Sequence, residues 1–134
     1  MAEVSTSPAD RLGFEAGQVV LEIGYDDDVD DDLRQAIEAL IGQELVDEDY
    51  EELADGVVLW YRDDDGDLTD ILVDANGSLG SGGTLWLLTP KTGREGYVQP
   101  SDIADAAHTA GLAQTSSATV APEWSGAKLV APKR

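Results

Sequence analysis

Val57-Val-Leu-Trp-Tyr61 is a continuous apolar run, and Thr84-Leu-Trp-Leu-Leu88 is a second one further along the chain. Both have the length of a strand, and neither alternates apolar with polar residues. Such runs suit strands buried on both faces of a parallel sheet. Between them Leu68, Ile71, Leu72, Ala75 and Leu79 fall at i, i+3, i+4, i+7 and i+11, which is one face of a helix. The glycines from Gly80 to Gly83 are expected to end that helix.

The alternation extends in both directions. Gln18-Val-Val-Leu-Glu-Ile23, bounded by Gly17 and Gly24, reads as a strand. Leu33, Ile37, Leu40 and Ile41 form a helical stripe behind it. Asp30, Asp31 and Asp32 stand at its start, where carboxylates accept from free N–H groups and oppose the positive dipole end, and Gly42 is placed to cap its end. Glu44 to Asp55 holds a short strand at Leu45-Val46 and an acidic turn. A third helix starts near Ser101 with Ile103, Ala106, Ala107 and Ala110 on one face and Gly111 after it. Strands at Gln114 to Val120 and Lys128 to Ala131 follow, with Pro122 and Gly126 in the turn between them. The expected fold is α/β: a single three-layer Rossmann-like domain over residues 15–134, its sheet mostly parallel with an antiparallel C-terminal strand pair. Residues 1–14, rich in Ser, Pro and Ala, are expected to be a flexible N-terminal tail without the basic start and apolar core of a signal peptide.

Composition excludes several functions. The 134 residues carry 28 Asp+Glu against 8 Lys+Arg, a formal net charge of −20. Phosphates are repelled by such a surface, so neither nucleic acid nor an anionic membrane is an expected partner. With no Cys there is no disulfide, thiolate metal site or cysteine nucleophile, and a single His, His108, excludes a histidine-based metal centre. The charge is also localised. Residues 1–90 hold 24 acids and 3 bases, whereas 91–134 hold 4 acids and 5 bases.

Four strings resemble an actinobacterial family of small proteins, domain-of-unknown-function family 3052. They are Gly24-Tyr-Asp-Asp-Asp-Val-Asp-Asp-Asp-Leu-Arg34, Trp60-Tyr-Arg-Asp-Asp-Asp-Gly-Asp-Leu-Thr-Asp70, Trp86-Leu-Leu-Thr-Pro-Lys91 and Trp124-Ser-Gly. The resemblance implies an actinobacterial cytoplasmic protein and supplies no activity or site residues. In its order of motifs the chain also resembles a truncated, degenerate class I methyltransferase. Val20-Leu-Glu-Ile-Gly24 is similar to the first strand of that fold, Leu79-Gly-Ser-Gly-Gly-Thr-Leu85 to the turn into its fifth strand, and the C-terminal hairpin to its terminal strand pair. The cofactor loop of those enzymes runs Glu-x-Gly-x-Gly-x-Gly. Aligned on Glu22 and Gly24, its next two glycines fall on Asp26 and Asp28. Glycine there serves close approach to the cofactor. Aspartate adds a side chain and a charge, so the resemblance implies a scaffold whose cofactor loop is lost and no bound cofactor.

Two acidic clusters follow strands, Asp26-Asp27-Asp28 and Asp63-Asp64-Asp65-Gly66-Asp67. Open parallel sheets bind ligands at that edge. Carboxylates gathered there would favour a divalent cation, Mg²⁺ or Ca²⁺, on Asp26, Asp28, Asp63 and Asp65; the alternative is solvated loops and helix caps. An EF-hand is excluded, since Tyr61 and Leu72 occupy the positions of its two anchoring carboxylates. Asp27, Asp28, Asp63, Thr89 and Lys91 resemble the residue set of a receiver domain's phospho-switch. The basic, glycine-rich stretch from Thr89 to Tyr97 offers Lys91 and Arg94 either to an anion or to ion pairs with the aspartates. Trp124, beside Pro122 and Gly126, is the aromatic expected to be partly exposed and able to anchor a partner, the alternative being packing under the final hairpin, whereas Trp60 and Trp86 belong to the core.

The leading functional expectation is a non-enzymatic regulatory or protein-interaction domain, its protein partner unidentified, on a degenerate methyltransferase-like fold. The alternative is a divalent-cation-dependent enzyme or phospho-switch using the acidic clusters. An acidic mimic of nucleic acid is a third. Pairing of terminal strands makes a homodimer compatible with the sequence.

Overall fold

A computed structural model describes residues 12–131. Strands β1 (Val20–Ile23), β2 (Ala54–Trp60), β3 (Leu79–Pro90), β4 (Ala113–Ala121) and β5 (Trp124–Val130) form one sheet in the order β1-β2-β3-β5-β4. Helices α1 (Asp31–Ile41), α2 (Leu68–Gly77) and α3 (Pro100–Thr109) connect them. β1 runs parallel to β2 and β2 parallel to β3, while β5 is antiparallel to both β3 and β4. The sheet is therefore mixed, which corrects the expectation of a mostly parallel one. The cause is the tight turn at Pro122-Glu123. It folds β5 back between β4 and β3, so one hairpin makes two antiparallel contacts. Val46 adds a single parallel bridge to Leu21 on the outer side of β1.

Both faces of the sheet are covered, as the unbroken apolar runs require. Val57, Leu59, Leu85 and Leu87 face α2 and α3, packing with Leu72, Ala75, Ile103 and Ala107. Val58, Trp60, Trp86 and Leu88 face the other way and pack with Leu33, Ile37 and Ile41 of α1. Successive residues of one strand thus serve two cores. Burying each large side chain contributes roughly 1.5–3 kcal/mol against the entropy of ordering the chain.

The aspartates around the helices do local work. Asp30 Oδ1 accepts from the Leu33 N–H at the start of α1, and Gly42 ends that helix in the left-handed region, φ 82°. Asp67 caps α2 through the Asp70 N–H.

Three expectations change. Gly80 to Gly83 do not end the helix; they lie inside β3. Ala54 pairs with Leu79 but Gly56 pairs with Thr84, so the glycines form an irregularity in β3 beside β2. A Cβ on Gly83 would stand 2.9 Å from the Asp55 carbonyl oxygen, which leaves room only for glycine. Gly126 likewise sits in β5 rather than in the turn. Residues 1–11 lie outside the described part of the chain, but Leu12 and Phe14, assigned to the tail, are buried against α1 and β2. Apolar side chains that complete a core layer hold that end of the segment.

Candidate functional site

The C-terminal ends of β1 and β2 lie side by side because the two strands are parallel and in register, Ile23 opposite Leu59. The loops that leave them carry the two acidic clusters. Between the clusters stands Arg62, whose side chain is 11% exposed. Its Nε donates to Asp28 Oδ2 at 3.0 Å and its Nη2 donates to Asp28 Oδ1, a two-pronged pair. Nη1 donates to the Gly24 carbonyl at 2.8 Å and to Asp65 Oδ2 at 3.2 Å. The Asp65 carboxylate also accepts from the Arg62 backbone N–H at 2.9 Å. One guanidinium therefore ties the loop after β1 to the loop after β2.

The bracket extends into the last hairpin. The Arg62 guanidinium lies 5.2 Å from the centre of the Trp124 ring, which is edge-on to Trp60 at 4.9 Å. Trp124 Nε1–H donates to the Asp28 carbonyl at 3.2 Å. Trp124 is 1% exposed, which rules out the partly exposed anchor and agrees with the alternative of packing under the final hairpin. Its neighbours Pro122 and Glu123 make the turn, and the ring swings under it onto the strand ends.

A second charged unit sits one step back in β1. Glu22 is 7% exposed. Its carboxylate accepts from Arg34 Nε at 2.6 Å, Arg34 Nη2 at 3.0 Å and Trp60 Nε1–H at 2.9 Å. A buried carboxylate is tolerable only when paired and hydrogen-bonded in this way. Arg34 in turn stacks over Tyr25 at 4.7 Å.

The electrostatics follow from these contacts. Its hydrogen bonds to Arg62, against some desolvation, hold the Asp28 carboxyl below the usual carboxylate range. Burial opposes the charge on Arg62, but the bonds to Asp28 and Asp65 prevail and push its pKa up. The Glu22 carboxylate raises Arg34. Burial, with Asp65, Asp67, Asp63 and Asp64 nearby, raises the Tyr61 phenol, whose hydroxyl donates to the Gly66 carbonyl.

Of the four aspartates singled out for a cation, Asp28 and Asp65 converge on Arg62. Asp26 accepts from the Asp27 N–H. Asp63 stands exposed in the loop after β2. Among the described residues no three His, Asp or Glu side chains are grouped so that they could hold a metal ion. The physical reason is that a resident guanidinium already supplies the positive charge. Arg94 does not reach the aspartate clusters either; its Nε pairs with Glu123 at 2.9 Å and its Nη1 donates to the Glu123 carbonyl. Lys91 touches the same residue through its backbone, its N–H donating to the Glu123 carbonyl. Thr89 is buried and Lys91 half-buried at the end of β3, while His108 is exposed. Arg62, Glu22 and Arg34 were not singled out as partners from the sequence. The signal was there in part: Arg34 and Arg62 are the only bases between the aspartates that follow Gly24 and the run from Asp63 to Asp65.

A cleft of about 320 Å³ adjoins the bracket, lined among others by Gly24, Tyr25, Asp26, Glu48, Arg62 and Asp65. Gly24 has φ 82°, and a Cβ there would collide with the Trp60 carbonyl oxygen. Its glycine is accounted for by the close approach of β2 alone.

A family profile described as protein of unknown function (DUF3052) matches residues 9–133. The chain belongs to this family. An uncharacterised protein of Mycobacterium tuberculosis strain H37Rv is 50% identical over 132 residues, which is 98% of this chain and 83% of that protein; one of Mycobacterium bovis matches equally. Among solved structures, this DUF3052 chain is similar to an O-methyltransferase from neocarzinostatin biosynthesis, with TM-score 0.63 and 15% identity over 87% of this chain and 50% of that one. It is similar as well to the CcbJ methyltransferase of Streptomyces caelestis, with TM-score 0.63 and 12% identity over 94% and 88% of the two chains. These likenesses show a methyltransferase-like Rossmann fold. The chain spans half the length of the first enzyme. Among the described residues no helix is long and apolar enough to cross a membrane.

Proposed function

We propose that this DUF3052 protein is a non-enzymatic regulatory or protein-interaction domain of the cytoplasm, built on a methyltransferase-like scaffold that no longer binds S-adenosylmethionine. The observation that carries this is the Arg62 bracket. The similar enzyme of neocarzinostatin biosynthesis was crystallised with S-adenosylmethionine. In this chain the loop after β1 bears Asp26 and Asp28 where a class I cofactor loop has glycine. Arg62 holds that loop by Asp28 and by the Gly24 carbonyl. A ligand lying along the loop would have to displace a guanidinium from two carboxylates and from the carbonyls of Gly24 and Trp60. The residues present do not fit the cofactor. The same bracket weakens the case for a divalent cation, since Asp28 and Asp65 already share one positive charge.

Titration calorimetry with S-adenosylmethionine tests the proposal. No saturable heat is expected at millimolar ligand. Micromolar binding together with methyl transfer to any acceptor would overturn it. Purification with native partners from the host, followed by mass spectrometry, identifies the protein it contacts.

A further inference from the structure

The charge of the chain leaves one cavity untouched. On the α2/α3 face, the rows of large apolar side chains stop short of the C-terminal end of β3. Leu85 and Leu87 are followed on that face by Thr89. Thr89 pairs across the sheet with Ser125, and Leu87 with Ala127, which in turn pairs with Ser117 of β4. Small side chains on the sheet leave a gap that the N-terminal turn of α3 does not fill. Tyr97, Val98, Pro100 and Ile103 also line it. The result is a cavity of about 250 Å³.

Its lining is chemically selective. Among the described residues none that lines it is charged, although Asp, Glu, Lys and Arg make up 27% of the chain. The walls are apolar at Val98, Ile103, Pro90 and Ala127. Hydroxyls or an amide stand at Thr89, Ser117, Ser125, Tyr97 and Gln114. Thr89, itself 4% exposed, is one of the lining residues. The cavity is open on the side of Gln114 and Ser117, which are exposed, and a partly open apolar cleft with a few convergent neutral polar groups is how small uncharged ligands are bound. At roughly 30 Å³ for each water, the space equals about eight waters, the room needed for one ring and a substituent.

We infer that the cavity between β3, β5, β4 and the start of α3 is a binding site for a small uncharged ring compound bearing an amide or hydroxyl group. It is separate from the Arg62 bracket and does not depend on the interaction role proposed above. A charged ligand is disfavoured because nothing in the lining would offset its desolvation.

Benzamide and benzoate serve as probes, since they share shape and differ in charge. Backbone amide spectra of the full chain are followed during titration. Benzamide is expected to shift the amides of Val98, Ser117, Gly126 and Ala127 with an affinity of roughly millimolar or tighter, and benzoate to bind at least ten-fold more weakly. Ser117→Phe, at an exposed edge-strand position, fills the cavity and should abolish the shifts while the rest of the spectrum stays native. Gln114→Ala leaves the cavity open, removes one polar partner and should weaken benzamide several-fold, so the test survives if the first variant misfolds. The inference is overturned if benzamide shifts nothing at its solubility limit, if the shifts map to Gly24 and Arg62 instead, or if benzoate binds equally well. A failure here leaves the calorimetric test with S-adenosylmethionine unaffected.

Discussion

Replacing Arg62 by methionine keeps the length and most of the volume of the side chain but removes every donor. The Gly24 carbonyl then loses its 2.8 Å bond, and Asp28 and Asp65 lose their common cation. The two carboxylates are a third or more exposed, so water compensates most of their loss and each contributes only about 0.5 kcal/mol. The carbonyl stands in a part-buried setting and costs roughly 1–3 kcal/mol when left without a donor. The expected destabilisation is therefore about 3 kcal/mol, which in a domain of this size lowers the melting temperature by about 10 °C. Urea unfolding followed by tryptophan fluorescence measures it, and the emission of Trp124 reports the loss of the overlying guanidinium directly. A double-mutant cycle with Asp28→Asn isolates the pair and should give a coupling of at least about 0.5 kcal/mol. A loss below about 1 kcal/mol, or strict additivity with Asp28→Asn, would refute the view that Arg62 ties the two loops together.

The same pair predicts a pH dependence. Asp28 is held below its ordinary value of 3.8 in the folded state, so its contribution is complete above that value and vanishes as pH falls through the lowered one. The stability difference between the wild-type chain and Arg62→Met should therefore be constant above about pH 5 and shrink below pH 4; equilibrium unfolding across that range checks it. Glu22→Ala leaves Trp60 Nε1–H buried without an acceptor and Arg34 without its carboxylate, at a cost of about 3 kcal/mol, whereas Glu22→Gln retains an acceptor and costs less; urea midpoints of the two variants rank them. Gly24→Ala drives a methyl group into the Trp60 carbonyl and should cost more than about 2 kcal/mol, or prevent folding, as read by circular dichroism. With a net charge of −20 the chain should melt higher as NaCl is raised, and Mg²⁺ or Ca²⁺ at matched ionic strength should add nothing beyond that screening; a specific rise with either ion would restore the aspartates as a cation site.

The pattern of strand and helix was legible because each element reports its own burial. Val57 to Tyr61 and Thr84 to Leu88 are apolar without a break, and they are the strands covered on both faces. Asp30 and Gly42 bound α1 as their chemistry demands. Reading failed where one residue type has two uses. Gly80 and Gly83 are breakers in a helical context and space-savers beside a neighbouring strand, and only the presence of β2 selects the second. Trp124 next to a turn could point either way until the strand ends were placed under it.

The sequence by itself determined where the charge lies, which segments are buried, and that aspartates follow β1 at positions 26, 27 and 28. Those are properties of adjacent residues. Only the tertiary structure decided which carboxylates are neutralised and by whom. Arg62 meets Asp28 across 34 positions of chain, and Trp124 meets it across 96, because parallel strands bring their ends together and β5 inserts between β3 and β4. A carboxylate's partner is set by distance in space, and distance in space across such separations is fixed by strand order.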